Sequence, residues 1–257
     1  MLRKPAPVED VRPYELLARV YDYLMRHVDY ARWANYLEEL FAAFGPTPRR
    51  IIEVACGTGT LALDLARRGY TVHGIDASEA MVDEAREKAR QYGDGAPTFS
   101  TGDMRDLPPD SADALLCLYD SVNYCLTDGD LRAALSSFRR SVCDGALCVF
   151  DVTTEANSLR YFQNYHYREK HDGFVYRRHS RYLKEERLQL NEFLIQREDA
   201  PDAVREIHEQ RIYSVADVLA ALVPNEWAVL STFNDYTFDP TDEQAERVHI
   251  ILRALAT

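Results

Sequence analysis

Ile51-Ile52-Glu53-Val54-Ala55-Cys56-Gly57-Thr58-Gly59-Thr60 is an apolar run that ends in an acid and a glycine-rich turn. Ile51, Ile52 and Val54 are β-branched and suit a buried strand. Leu61-Ala62-Leu63-Asp64-Leu65-Ala66-Arg67-Arg68 is made of helix formers and stops at Gly69, a natural C-cap. Gly57 and Gly59 therefore occupy the turn between strand and helix. Glycine there permits left-handed backbone angles and lets a ligand approach main-chain amides at a helix N-terminus. A nucleotide or nucleoside suits such a turn. Gly57-Thr58-Gly59-Thr60-Leu61-Ala62 also fits the dinucleotide fingerprint with alanine in the third glycine place. Glu53 discriminates, because a carboxylate at the strand end repels a pyrophosphate and attracts a cationic amino-acid head group.

An acid followed by a Gly-x-Gly turn resembles the first motif of the class I S-adenosylmethionine-dependent methyltransferases. Downstream, Tyr70-Thr71-Val72-His73-Gly74-Ile75-Asp76 is a second extended run with an acidic end. Asp76 can accept both hydroxyls of a ribose, and Ser78 is the better cap for the helix from Glu79 to Tyr92. Met81, one turn into that helix, can pack on an adenine or simply in the core. A third strand, Pro97 to Thr101, runs into Gly102-Asp103-Met104. The resemblance implies that Asp103 takes the adenine amino group and that the Met104 amide takes a ring nitrogen. Ala55, Cys56 and Ala77 join the expected cofactor-binding set with Glu53, Gly57, Gly59 and Asp76.

Ala114 to Asp120 is a continuous apolar run, as in a strand covered on both faces. Ligands meet the carboxyl ends of strands in an open parallel sheet, so Tyr119, Asp120, Ser121 and Asn123 are expected at the reacting group, with Tyr119 and Ser121 toward the cofactor and Asn123 toward the acceptor. No Asn/Asp-Pro-Pro-aromatic sequence stands here, which argues against methylation of bases or glutamine. A helix from Asp130 to Val142 and a strand from Ala146 to Val152 complete five alternating units, a doubly wound parallel sheet. A helix from Ser214 to Leu222 and strands at Trp227–Phe233 and Arg247–Leu252 follow. The fold expected is α/β, a Rossmann-like seven-stranded methyltransferase sheet with a small antiparallel β lid inserted.

The expected organisation is an N-terminal helical cap over 1–44, a core over 45–154 and 214–257, and a lid over 155–213. Residues 1–12 are Pro-rich and charged and read as a loose arm. Helical spacing then gives two amphipathic helices up to Phe44, with Asp29 a cap between them. Tyr21-Asp22-Tyr23-Leu24-Met25 with Tyr30 and Trp33 is similar to the N-terminal cap of a group of small bacterial methyltransferases. The resemblance implies a tyrosine closing over the methionine end of the cofactor, assigned to Tyr21 ahead of Tyr14.

The lid region holds alternating stretches at Phe174–Tyr182, Arg187–Arg197 and Val204–Tyr213. Period-two spacing puts Glu206, His208 and Gln210 on one face of the last, with Arg211 and Tyr213 opposite. Gln210, Arg211 and Tyr213 are expected at the substrate. His208, as a general base for the acceptor's proton, and Glu206, orienting that histidine or binding a substrate cation, are the expected catalytic pair. His166, His171, His179 and His208 match no usual zinc spacing, so no metal is expected. Arg168, Lys170, Arg177, Arg178, Arg181, Lys184 and Arg187 are interspersed with acids, as on a solvated face, though they could also meet a substrate phosphate or carboxylate.

The 257 residues suffice for one substantial core without disulfides. Five cysteines, an odd number in mainly apolar segments, read as reduced cytosolic thiols, and no signal peptide or membrane span is apparent. A net charge of -12 argues against a nucleic-acid partner. The expected function is methyl transfer from S-adenosylmethionine, leaving S-adenosylhomocysteine, to nitrogen or oxygen of a small molecule. The alternatives are an NAD(P)-dependent oxidoreductase, a cofactor-binding protein without turnover, or a methyltransferase of protein or RNA. The sequence leaves the oligomeric state open.

Overall fold

A computed structural model describes residues 8–199, 202–242 and 244–256. From the amino end come β1 (Val8–Val11), α1 (Ala18–Leu24), α2 (Tyr30–Phe44), β2 (Arg50–Val54), α3 (Thr60–Arg67), β3 (Thr71–Asp76) and α4 (Glu79–Arg90). Then follow β4 (Thr98–Thr101), β5 (Ala112–Cys117), a 3-10 turn (Ser121–Tyr124), α5 (Asp128–Arg140), β6 (Val142–Thr153) and α6 (Glu155–Tyr161). The remainder is β7 (Asn164–His171), β8 (Phe174–Leu183), β9 (Leu188–Arg197), β10 (Ala203–Arg211), α7 (Val215–Ala221), β11 (Trp227–Asn234) and β12 (Arg247–Ala254).

The larger sheet has the order β11-β12-β6-β5-β2-β3-β4. β2 pairs in parallel with β3 on one side and β5 on the other, whereas β12 runs antiparallel to both β6 and β11. The chain thus reverses its winding between β2 and β5, and a doubly wound sheet opens a crevice at that switch point. One face is covered through Phe138, Leu135 and Val218 of α5 and α7, the other through Trp33, Leu37, Leu40, Phe41 and Leu65 of α2 and α3. A buried side chain of this size contributes about 1.5–3 kcal/mol. Asp29 caps α2 by accepting from the Arg32 amide (2.9 Å), and Ser78 caps α4 through the Met81 amide (3.3 Å).

The smaller sheet has the order β1-β10-β9-β8-β7. Its strands β7 to β10 are antiparallel neighbours. One expectation needs correction. Within the arm read as loose, Val8–Val11 pairs in parallel with Ala203–Glu206 as an edge strand; residues 1–7 lie outside the described residues. The reason is long-range pairing, since Asp10 also holds Arg205 (2.6 Å).

Candidate active site

A cavity of about 850 Å³ opens at the carboxyl ends of β2, β3 and β5, and the smaller sheet and the segment before α1 contribute side chains to it. That volume lies toward the upper end of the ~300–1,000 Å³ usual for ligand sites.

The turn after β2 is wound tightly, with Ala55, Gly57 and Gly59 at φ 54°, 55° and 72°. Asp76 fixes it from the end of β3: one carboxylate oxygen accepts from the Gly57 amide (2.8 Å) and the other from the Ser78 amide (2.8 Å). Burial raises the Asp76 pKa more than these two amides lower it. From α1, Asp22 accepts from the Thr58 hydroxyl (2.5 Å) and pairs with Lys88 (2.7 Å), so the helix before the sheet is tied to the turn. Glu53 is buried at the cavity wall, and its Oε2 has no partner. Burial, and then the charge of Asp76, push its pKa up to about 8. An orphaned carboxyl oxygen on a residue that lines the cavity fits a cationic head group, and the tight turn beside it fits a nucleoside.

Of the expected cofactor residues, Tyr21, Glu53, Ala55, Cys56, Gly57, Asp76, Ala77, Met81, Met104, Tyr119 and Ser121 line the cavity. Two do not. Gly59 faces the core, where a Cβ would stand 2.6 Å from the Phe99 ring, so its role is to let α3 and β4 close together. The Asp103 carboxylate turns away to Arg105 (2.6 Å), which also pairs with Asp130 (2.8 Å).

The acceptor set requires more correction. Gln210 lines the cavity, donating to Asp120 Oδ2 (2.5 Å). Asn123, Arg211 and Tyr213 stand outside it. Asn123 is fully buried, donating to the Arg211 carbonyl (2.7 Å) and accepting from the Thr153 amide (3.0 Å), so it joins β10 to β6. Arg211 pairs with Asp128 (3.0 Å), and the Tyr213 hydroxyl donates to the carbonyl of Cys125 (2.5 Å). Both point to the side of β10 that packs on the α5 cap.

Glu206, His208 and Gln210 do share one face, buried at 0, 2 and 4 % exposure. Glu206 is nevertheless behind the cavity. Its Oε1 accepts from the amides of Leu16 (2.7 Å) and Leu17 (2.9 Å), and its Oε2 from the Tyr14 amide (2.8 Å) and His208 Nε2 (3.2 Å). No oxygen is left for a substrate cation. His208 lines the cavity, but its Nδ1 faces the Tyr124 hydroxyl (3.0 Å), which in turn meets the Tyr14 hydroxyl (2.6 Å). Both ring nitrogens are engaged, so the histidine is reached through two phenols rather than directly.

Tyr124, Asn191 and Phe193 line the cavity without having been singled out from sequence, and so does Arg178, which the sequence offered only as one of seven lid cations. Tyr124 arrives on the 3-10 turn, whereas the positions of the other three follow from cross-strand register, Arg178 opposite Phe193 and Asn191 opposite His208, which the period-two reading of single strands does not supply. Tyr14, Ala55, Tyr119 and Asp120 all line the cavity with positive φ, a cluster of strained backbone at one place. Asp120 is held by Arg247 (2.7 Å), whose other arm takes Asp151.

The model of the methyltransferase domain family matches residues 51–145, from the strand before the glycine turn to the start of β6. Over 240 residues the chain is 29% identical to the putative methyltransferase YqeM of Bacillus subtilis (strain 168), covering 91% of this chain and 94% of that protein. An S-adenosylmethionine-dependent methyltransferase from Clostridium acetobutylicum ATCC 824 superposes with a TM-score of 0.79 at 22% identity, covering 94% of this chain and 98% of that one. The sugar N-methyltransferase KedS8 from Streptoalloteichus sp ATCC 53650 does so with a TM-score of 0.75 at 21% identity, over 92% and 93%. Among the described residues no helix is long and apolar enough to cross a membrane. The domain match begins at the strand before the turn that opens the cavity and the relative aligns almost end to end, so residues 51–145 carry a methyltransferase domain and the whole chain has the fold of S-adenosylmethionine-dependent methyltransferases.

Proposed function

We propose that the protein transfers a methyl group from S-adenosylmethionine to a nitrogen or oxygen of a small molecule enclosed between the two sheets. The observation that carries this reading is one cavity lined on one side by the glycine turn, Glu53 and Asp76, and on the other by His208, Gln210 and Asn191. When bound, the cofactor supplies a sulfonium methyl, which needs an aligned nucleophile and little acid-base help at sulfur. In this reading Glu53 receives the ammonium, Asp76 the ribose hydroxyls, Tyr21 closes over the methionine end and Met81 covers the adenine. A sugar N-methyltransferase among the superposable structures supports a small acceptor. A macromolecular acceptor would have to thread a loop or a flipped base into a space closed by a sheet.

The proton released by an amine or hydroxyl acceptor follows from the hydrogen-bond order. Burial raises the Tyr14 and Tyr124 pKa, so both phenols stay neutral. Burial opposes ionisation of Glu206, but His208 and three amides outweigh it and lower its pKa. An ionised Glu206 accepts from His208 Nε2, which leaves Nδ1 as the acceptor for Tyr124. Tyr14 then takes the acceptor's proton while passing its own to Tyr124, and Tyr124 passes its proton to His208. Glu206 stabilises the resulting imidazolium.

The test is calorimetric titration with S-adenosylmethionine, S-adenosylhomocysteine and NADH, for wild type and Asp76→Ala, followed by methyl transfer to a panel of amino and hydroxy compounds. The expected result is micromolar binding of both adenosyl compounds, lost in the variant and absent for NADH. Transfer should then fall about 10²-fold in Tyr124→Phe with KM for the donor unchanged. Methyl label appearing only in protein or RNA would overturn the small-acceptor reading.

A further inference from the structure

Arg178 lines the cavity among neighbours that hold a cation without neutralising it. Its Nε donates to Ser180 Oγ (2.9 Å) and its Nη2 to Asn191 Oδ1 (2.9 Å), both uncharged acceptors. The rings of Phe162, Phe193 and Tyr165 stand 4.9, 5.4 and 5.7 Å from Cζ. These contacts use two of the five N–H groups and fix the plane of the fork. The carboxylate whose charge reaches it, Asp120, is already paired with Arg247 (2.7 Å). Burial disfavours the charged form of Arg178, yet a guanidinium does not give up its proton in a protein. A half-buried cation with no carboxylate paired to it is costly, and an apolar side chain at the same position would cost less. The other cations of this sheet differ. Arg168, Arg177 and Arg181 are exposed, and Lys170 pairs with Glu198 (2.5 Å), Arg197 with Asp199 (2.8 Å), Arg205 with Asp10 (2.6 Å) and Arg211 with Asp128 (3.0 Å).

Resting on the methyl-transfer reading above, we infer that Arg178 receives an anionic group, a carboxylate or a phosphate, carried by the methyl acceptor. Ser180 and Asn191 orient the fork, and the free edge donates to two oxygens side by side, as guanidinium does with either anion. The acceptor is then a bifunctional molecule, with its nucleophilic nitrogen or oxygen near Tyr14 and its anion at the smaller sheet. Glu53 and Asp76 are assigned to the donor, so the cavity keeps separate charges for its two ligands.

The probes are inorganic phosphate, pyrophosphate and malonate, titrated into the full chain saturated with S-adenosylhomocysteine, for wild type, Arg178→Gln and Arg178→Lys. Wild type should bind at least one probe, and Arg178→Gln should weaken it about tenfold or more. Arg178→Lys should lose less, because it keeps the charge without the planar fork. Preference between malonate and the phosphates separates carboxylated from phosphorylated acceptors. Arg178→Gln should melt no lower than wild type, which also shows that it folds. Equal probe binding by wild type and Arg178→Gln, or none by wild type, overturns the inference. Weaker S-adenosylhomocysteine binding in Arg178→Gln with 5′-methylthioadenosine binding intact also overturns it, because the fork would then hold the cofactor's own carboxylate. Wild type that binds no S-adenosylhomocysteine overturns the cofactor reading instead, and the same titration of ligand-free protein then reads the anion affinity of Arg178 alone.

Discussion

Replacing Glu206 by alanine tests whether one carboxylate joins the smaller sheet to the segment that covers the cavity. Its oxygens accept from the amides of Tyr14, Leu16 and Leu17 and from His208 Nε2, at 2.8, 2.7, 2.9 and 3.2 Å. Alanine leaves all four donors without an acceptor. An unpaired buried donor costs roughly 1–3 kcal/mol. The amides of Tyr14 and Leu16 are only partly buried and can recruit water, so the sum is about 3–5 kcal/mol by the same rule. At ~2–4 °C per kcal/mol for a chain of this size, melting should fall by about 10 °C. Glu206→Gln should lose less, because its remaining oxygen keeps Leu16 and Leu17 while its amide opposes Tyr14 and His208. Urea unfolding reads both variants, and a Glu206→Ala protein with the wild-type midpoint would refute the reasoning.

The same carboxylate carries a pH signature. Burial alone would raise its pKa, but His208 and the three amides bring it below the usual range. The folded value therefore lies below the unfolded one, near ~4.3. Between the two the unfolded chain binds the extra proton, so the contribution is complete above the unfolded pKa and is lost as pH falls through the folded one. The stability difference between wild type and Glu206→Ala should shrink on acidification below about pH 4.3. A difference constant down to pH 3 would contradict an ionised Glu206.

Two further outcomes test the wall and the floor of the cavity. Gly74→Ala would place a Cβ 2.5 Å from Phe99 Cδ1 and 2.8 Å from Cys56 Sγ, costing about 1–3 kcal/mol in urea unfolding; Phe99→Leu in that background should recover part of it, and no loss in the single variant would mean that β3 and β4 pack differently. Glu53, with its pKa at about 8, is mostly protonated at pH 7 in the ligand-free protein. A cationic head group favours the carboxylate, so binding of S-adenosylhomocysteine should release close to one proton, and its calorimetric enthalpy should differ between phosphate and Tris buffers. In Glu53→Gln that buffer dependence should vanish and affinity should fall about tenfold, with 5′-methylthioadenosine unaffected; a buffer-independent enthalpy in wild type would rule the assignment out.

What the sequence discloses about this site depends on how far apart the cooperating residues lie along the chain. Glu53, Gly57 and Asp76 sit at the ends of β2 and β3, and each is announced by its own apolar run, so the floor of the cavity and the class of chemistry are legible locally. The face shared by Glu206, His208 and Gln210 is legible too, because alternation is a local property. Which face meets the ligand is not. Gln210 and Asn123 are equally polar, yet one reaches the cavity and the other ties β10 to β6, a choice made by pairing across the two sheets. Val8–Val11 escaped as a strand because four mostly exposed residues have no hydrophobic pattern of their own and acquire structure only from β10.

Asp120 shows why the acceptor side is the harder half to read. Its left-handed backbone, at φ 53°, opens the 3-10 turn three residues after β5, where one carboxylate oxygen meets Arg247 of β12 and the other meets Gln210 of β10. Gln210 in turn accepts from Asn191 (3.2 Å), whose own oxygen orients Arg178. A chain of hydrogen bonds thus runs from the floor through three strands of the smaller sheet to the one cation of that sheet that lines the cavity. On the reading proposed above, the donor side is written in single motifs, whereas the acceptor side is distributed over the segment after β5 and over β8, β9, β10 and β12. A change of acceptor can therefore be made by altering the register or the polar residues of the smaller sheet while the cofactor turn stays as it is.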